Sequence, residues 1–501
     1  MNGHDIGKAI GLHETVLNRR QFFAKNAMGL GGAALASLMP PELMGAISGS
    51  SNNDQLAHFP ARAKRVIYIS LIGAPSQFET FDYKPQIQKD YKKDIKDFLV
   101  ESGQRLTGMT AKQSKFQVAQ SFTGFKQYGQ NGTWISDILP YHGKMADDIC
   151  VIKSMHTDAI NHVPANHMMF TGSMIPGRTS MGSWLSYGLG TLNKDLPTFC
   201  VLHAQHSSPF SNVQAISSNY WTSSFLPGKH AGVHLRTQGN PVLYLKDAPG
   251  ISRKVRRNML DGLSSLNQET LESVGDREIQ TRMQQYEMAY RMQMSVPDLT
   301  DMSKETEETY ELYGPESKKN GSFAYCAMMA RRLVERGVRF TQIFHRGWDQ
   351  HGNLPRDLTS QCKDIDQPCY ALIQDLKRRG LLDSTLVIFA GEFGRTVYSQ
   401  GRLNETSYGR DHHPRAFSIW MAGAGVKGGM SYGETDEYSF NIITPQQKVH
   451  VRDLHATILE RCGIDHHKLT FRHQGLDQKL TGVEPARVVT DILDHSYMEK
   501  H

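Results

Sequence analysis

The amino-acid sequence predicts an α/β protein built on a doubly wound, mostly parallel sheet. Three observations carry that expectation. Short runs of apolar and β-branched residues recur along the chain, as in strands buried on both faces. From residue 323 to 463 these runs alternate with stretches of helical spacing, each closed by a glycine (Gly337, Gly380, Gly463). Polar clusters adjoin three of the runs, and open α/β sheets bind ligands at the carboxyl ends of their strands.

The chain begins with a segment of a different kind. Asn18-Arg19-Arg20-Gln21-Phe22-Phe23-Ala24-Lys25 precedes a weakly apolar, Gly- and Ala-rich run over 27–39. The pattern is similar to a twin-arginine export signal, whose substrates typically cross the membrane already folded. It predicts a periplasmic or extracellular protein. The run is too short and too rich in glycine for a permanent membrane anchor. Ala34-Leu35-Ala36 and Ala46 are candidate cleavage points, so residues 1–45 read as signal and linker.

The polar stretch to residue 61 leads to a strand over 66–72, ended by Gly73 and a polar loop containing Glu79 and Asp82. Strands are expected again at 149–152, 199–202, 338–344, 385–390 and 416–421. A charged, helix-prone stretch over 252–311 reads as one or two long helices inserted into an α/β domain spanning 60–495. Helices are expected over 323–336, around Ile365, Cys369, Leu372 and Leu376, and over 451–462.

Composition excludes several classes. The 501 residues are 39% hydrophobic and 21% charged, as in a soluble globular protein, and no other segment has the apolar length of a membrane span. A net charge of +6, from 56 basic and 50 acidic residues, is too dilute for a nucleic-acid partner. The six cysteines lack any Cys-x-x-Cys pair and read as small buried hydrophobes. Cys362 and Cys369, two turns apart on one helix, are too distant to bridge.

The chemistry gathers in three motifs. Gly347-Trp348-Asp349-Gln350-His351 and Gly391-Glu392-Phe393-Gly394-Arg395 follow strands, and Asp411-His412-His413-Pro414 precedes one. Carboxylates and imidazoles so placed are candidate ligands of a divalent ion: Asp349, His351, Glu392, and His412 or His413. Each has a structural alternative. Asp349 and His351 also suit a surface turn, and Glu392 suits a helix N-terminus. Arg395 suits either a clamp on an anionic ester or a counter-ion for Glu392. His156, His167 and His455 read as structural histidines.

These motifs, with Asn161-His162-Val163-Pro164-Ala165, Thr171-Gly172, Met181-Gly182-Ser183-Trp184 and Asp453-Leu454-His455-Ala456-Thr457, resemble a large bacterial family known as domain of unknown function 1501. The resemblance runs from about residue 60 to 495. It implies a place in the alkaline phosphatase and sulfatase superfamily, whose members hold one or two divalent metals on a parallel α/β sheet and hydrolyse phosphate or sulfate esters. On that plan Glu79 or Asp82 supplies a carboxylate from the first-strand loop, and Asp349 and His351 belong to one metal site. Phe393 stands where relatives have a second ligand. His162 falls at the nucleophile position, as nucleophile or as ligand. The implied ion is zinc, manganese or calcium, and the implied substrate is an anionic small-molecule or polysaccharide ester. The alternative is a non-catalytic protein of the same fold that binds a sulfated or phosphorylated polysaccharide.

Overall fold

The computed structural model describes residues 56–103, 110, 112–207, 214–242 and 250–494. The twin-arginine motif and its cleavage points lie outside the described residues. A nine-stranded sheet forms the centre. Its strands are β1 (Arg65–Ile72), β2 (Ile149–His156), β3 (Phe199–Ala204), β4 (Val233–Leu235), β5 (Phe340–Arg346) and β6 (Thr385–Ala390). A separate antiparallel hairpin follows, β7 (Gly394–Ser399) and β8 (Arg410–His413), and then β9 (Phe417–Ala422), β10 (Met430–Tyr432) and β11 (Val449–His450) complete the sheet. The spatial order is β10-β2-β9-β6-β1-β5-β3-β4, with β11 paired to β2. Only β9 runs antiparallel to its neighbours, so the sheet is mixed but mostly parallel.

The helices are α1 (His162–Thr171), α2 (Met181–Leu189), α3 (Arg253–Val274), α4 (Arg277–Thr300), α5 (Phe323–Glu335), α6 (Leu354–Arg378) and α7 (Val451–Arg461), with shorter turns between. Strand alternation explains why they cover both faces. Ile67, Ile69 and Leu71 of β1 pack in one core with Leu333, Ile365 and Leu372 of α5 and α6. Val66, Tyr68 and Ile72 point the other way, into a core with Met168, Trp184 and Leu454 of α1, α2 and α7. Each such side chain contributes about 1.5–3 kcal/mol by leaving water. This is the doubly wound arrangement that the alternating runs predict.

Differences from the expected boundaries have local causes. The strand expected at 338 starts at Phe340, because Gly337 takes φ +77° and the backbone of Arg339 and Phe340 first meets the Thr198 carbonyl. β2 continues to His156, beyond the apolar run, since β9 and β11 pair with its polar end. Among the described residues no helix is long and apolar enough to cross a membrane. All six cysteines are buried and free.

Candidate metal centre

Four separate segments deliver the site to the carboxyl ends of β1, β5 and β6. Gly73 closes β1 at φ +112°, and a Cβ there would stand 2.6 Å from the Asp349 nitrogen. Only glycine permits that approach. The Trp348 amide donates to the Ile72 carbonyl (3.2 Å), which pins the loop after β5 against β1. His162 is the first residue of α1. In the β7–β8 hairpin, His412 lies opposite Arg395.

The ligand atoms of His162, Asp349, His351 and His412 all lie within 4.8 Å of one another. Asp349 Oδ1 is the hub. His351 Nε2 lies 2.8 Å from it, His162 Nε2 3.2 Å and His412 Nε2 3.4 Å. Arg395 Nη2 donates to the same oxygen (2.7 Å), and Gln214 Nε2 donates to Asp349 Oδ2 (2.8 Å).

The outer nitrogens of the three rings are all engaged. His162 Nδ1 lies 2.6 Å from Glu392 Oε1, His412 Nδ1 lies 2.8 Å from the Ile160 carbonyl, and His351 Nδ1 meets the Gln400 side-chain oxygen. Acceptors at Nδ1 assign the proton there and leave Nε2 as a lone pair. Three such lone pairs and one carboxylate oxygen make a donor set for a divalent ion. An independent observation agrees: His162 Nε2 is buried and, despite its nearness to Asp349, lacks a hydrogen-bond partner. Leaving such an atom unsatisfied costs about 1–3 kcal/mol. The residues present therefore fit a metal.

The surroundings act on two of the acceptor-paired histidines in opposite directions. Burial works to raise the Asp349 pKa, but the Arg395 charge and the three histidines outweigh it and hold the carboxyl well below the usual range. Burial also works against a charged His162, yet Asp349 and Glu392 together lift its pKa. His412 is pushed down to about 4, chiefly by burial. The Phe393 ring packs against His162 (4.9 Å between centroids) and His412 (4.6 Å), giving the cluster an apolar wall.

Of the expected ligands, Asp349, His351 and His412 come together with His162, and the others do not. Glu392 stands one layer out: besides His162 it accepts from the Gly73 amide (2.9 Å), so it orients the His162 ring. His413 follows His412 in a strand and so points to the opposite face, where Nε2 bonds the Phe440 carbonyl (2.8 Å). Glu79 forms a fully buried ion pair with Arg410 (2.6 Å). Asp82 accepts from Thr435 and Ser439 (both 2.6 Å) and pairs with Lys84 (3.3 Å). Arg395 is committed to Asp349 and to backbone carbonyls rather than to Glu392. Its Nε donates to the Ala74 carbonyl (2.9 Å), its Nη1 to the Arg410 carbonyl (3.2 Å), and its Nη2 to the Gly73 carbonyl as well as to Asp349. Sequence reasoning missed Gln214 and Gln400, which carry no motif, and the Ile160 carbonyl, which carries no side-chain signal at all.

A doubly wound α/β sheet with a largely buried three-histidine, one-aspartate cluster at its strand ends defines the chain as a candidate metalloprotein. It belongs to the family described as Protein of unknown function (DUF1501), which matches residues 63–493. No curated protein matches it. Among solved structures it is similar to the phosphonate monoester hydrolase of Agrobacterium radiobacter at 11% identity, over 86% of this chain and 77% of that one, with a TM-score of 0.35. It is similar to the lipoteichoic acid synthase LtaP from Listeria monocytogenes at 10% identity, over 89% and 81%, with a TM-score of 0.35. The complex of Ps i-CgsB with k-i-k-neocarrahexaose is similar at 10% identity, over 81% and 73%, also at 0.35.

Proposed function

We propose that this chain is an exported, metal-dependent hydrolase of a phosphate or sulfate ester, on the plan of the alkaline phosphatase superfamily. The observation that carries the reading is the convergence of His162, His351 and His412 on Asp349 within 4.8 Å at the carboxyl edge of the sheet. In this reading those four residues hold one divalent ion. Bound there, the ion would supply Lewis-acid polarisation of the ester and lower the pKa of water.

The chain's own residues do the rest. Glu392, Gln400 and the Ile160 carbonyl hold the three imidazoles in the ligand tautomer. Arg395 keeps Asp349 ionised and oriented. Phe393 keeps water from one side of the cluster, which strengthens the electrostatics within it. His162 is assigned as ligand rather than nucleophile, because Glu392 occupies Nδ1 and Nε2 faces the cluster. The export assignment rests on Arg19-Arg20 and the small-residue run behind them.

A second reading, a binding protein for a sulfated or phosphorylated polysaccharide, is favoured by one observation: the nucleophile position holds His162, and the cysteines are all buried. Metal analysis together with a panel of aryl phosphate and aryl sulfate esters separates the two. Hydrolysis that disappears with a chelator and returns with one metal supports the hydrolase. A metal-replete protein that hydrolyses none of the panel but retains the polysaccharide defeats it. His162→Ala separates ligand from nucleophile: loss of metal fits the ligand role, and retained metal with lost turnover fits the other.

A further inference from the structure

The helix α3 is 22 residues long, and none of them is buried. One side meets α4, where Arg257 pairs with Glu287 (2.8 Å) and lies over the Tyr290 ring. Another side carries an apolar stripe: Val255 is 46% exposed, Met259 51%, Leu263 38%, Leu266 63% and Val274 52%. At 100° per residue these positions, with Thr270, fall in an arc of about 100° and extend about 28 Å along the axis. A continuous stripe of this kind is unlike the scattered apolar residues of an ordinary surface.

Two features of the stripe select its occupant. Its spacing reads four, four, three, four, four from either end. Laid antiparallel on a second α3, it sets Val255 of one copy against Val274 of the other, Met259 against Thr270, and Leu263 against Leu266. The charge is also polar along the axis. Arg253 and Arg257 turn to Tyr290 of α4, which leaves Lys254 and Arg256 as the other basic residues of the first turn, while Asp261, Glu269 and Glu272 follow. Antiparallel copies place the basic end of each beside the acidic end of the other, whereas parallel copies would stack like on like. The acidic half also opposes an anionic lipid surface.

We infer that α3 is the interface of a two-fold symmetric, antiparallel dimer of this chain. A symmetric pair uses the same patch on both copies, which is what a stripe that reads alike in both directions provides.

Sedimentation of the full chain over a range of micromolar concentrations tests this. A concentration-dependent dimer is expected. The double variant Leu263→Glu/Leu266→Glu weakens it by about 10²-fold, because each leucine is lost from both sides of the contact. Its far-UV circular dichroism stays as in the parent. The variant Val255→Cys/Val274→Cys, too long a span to bridge within one helix, oxidises to a covalent dimer, while Val255→Cys alone does not. A chain that stays monomeric throughout overturns the inference. So does cross-linking by Val255→Cys alone, which marks a parallel pair, and so does a monomer that binds anionic phospholipid vesicles through α3.

Discussion

Two buried clusters in this protein each pair an arginine of the β7–β8 hairpin with a carboxylate, and they end differently. Arg410 and Glu79 are both fully buried, 2.6 Å apart. Arg410 also donates to the carbonyls of Thr396, Val397 and Ala119, and Tyr408 lies within reach of Glu79 at 3.4 Å. Every group there has an internal partner. Arg395 and Asp349 are just as close, at 2.7 Å, but three imidazole nitrogens crowd the same carboxylate and one of them is unpartnered. A closed network serves the fold. A network whose open valences all face one point is arranged for something that arrives from outside.

That contrast is open to direct attack. The largest effect is expected at the closed pair. Arg410→Met strands the Glu79 carboxylate and should cost roughly 3–5 kcal/mol of stability, read by urea or thermal unfolding. The folded fraction should keep its metal. Unchanged unfolding would mean that the pair is not the lock described.

Next in size is removal of a ligand. His351→Ala should weaken metal binding by about 10²–10³-fold, taking an equal share of the about 10–16 kcal/mol that a four-ligand site can supply. Unfolding of the chelated variant should match that of the chelated parent. Titration with competing chelators measures the first and urea melts the second. Full metal retention would remove this histidine from the set.

A third test uses a buried imidazole that belongs to the fold. His455 is buried with Nε2 on the Met169 carbonyl (2.8 Å), and burial pushes its pKa down to about 4. The unfolded chain takes up this proton from about pH 6.5 downward and the folded chain does not, so stability falls between pH 6.5 and 4 and levels off below. The loss should be on the order of 3 kcal/mol. In chelated protein His455→Phe should flatten that slope. An identical pH dependence in the variant would clear His455 of the role.

The smallest effect belongs to the supporting layer. Glu392→Gln keeps an acceptor for His162 but removes the charge, and should lower metal affinity by about 10–100-fold without changing the stoichiometry at saturating metal. A site that cannot be refilled at any metal concentration would show Glu392 to be a ligand after all.

Much of this was legible in the residues. The runs at 66–72 and 385–390 are apolar on both alternate faces, so a strand covered on both sides follows from hydrophobic burial alone. Asp349 and His351 are legible because an apolar run ends shortly before Gly347, and strand ends are where open sheets gather their ligands. The choice between His412 and His413 was not legible. Adjacent residues in a strand face opposite ways, and a slip of one residue in β8 would exchange them. That register is set by pairing with β7.

The sequence by itself determined the α/β class, the ends of the strands, and the residue types that could hold a metal, because periodicity and side-chain chemistry are local properties. Only the tertiary structure decided which carboxylate joins the histidine cluster and which pair elsewhere. Glu79, Glu392 and Asp349 are alike as acids, and each took its role from the first cation or ring that the fold brought against it. An arginine set apart by more than 300 residues closed Glu79 into the core, while three histidines from three segments left Asp349 facing a common point.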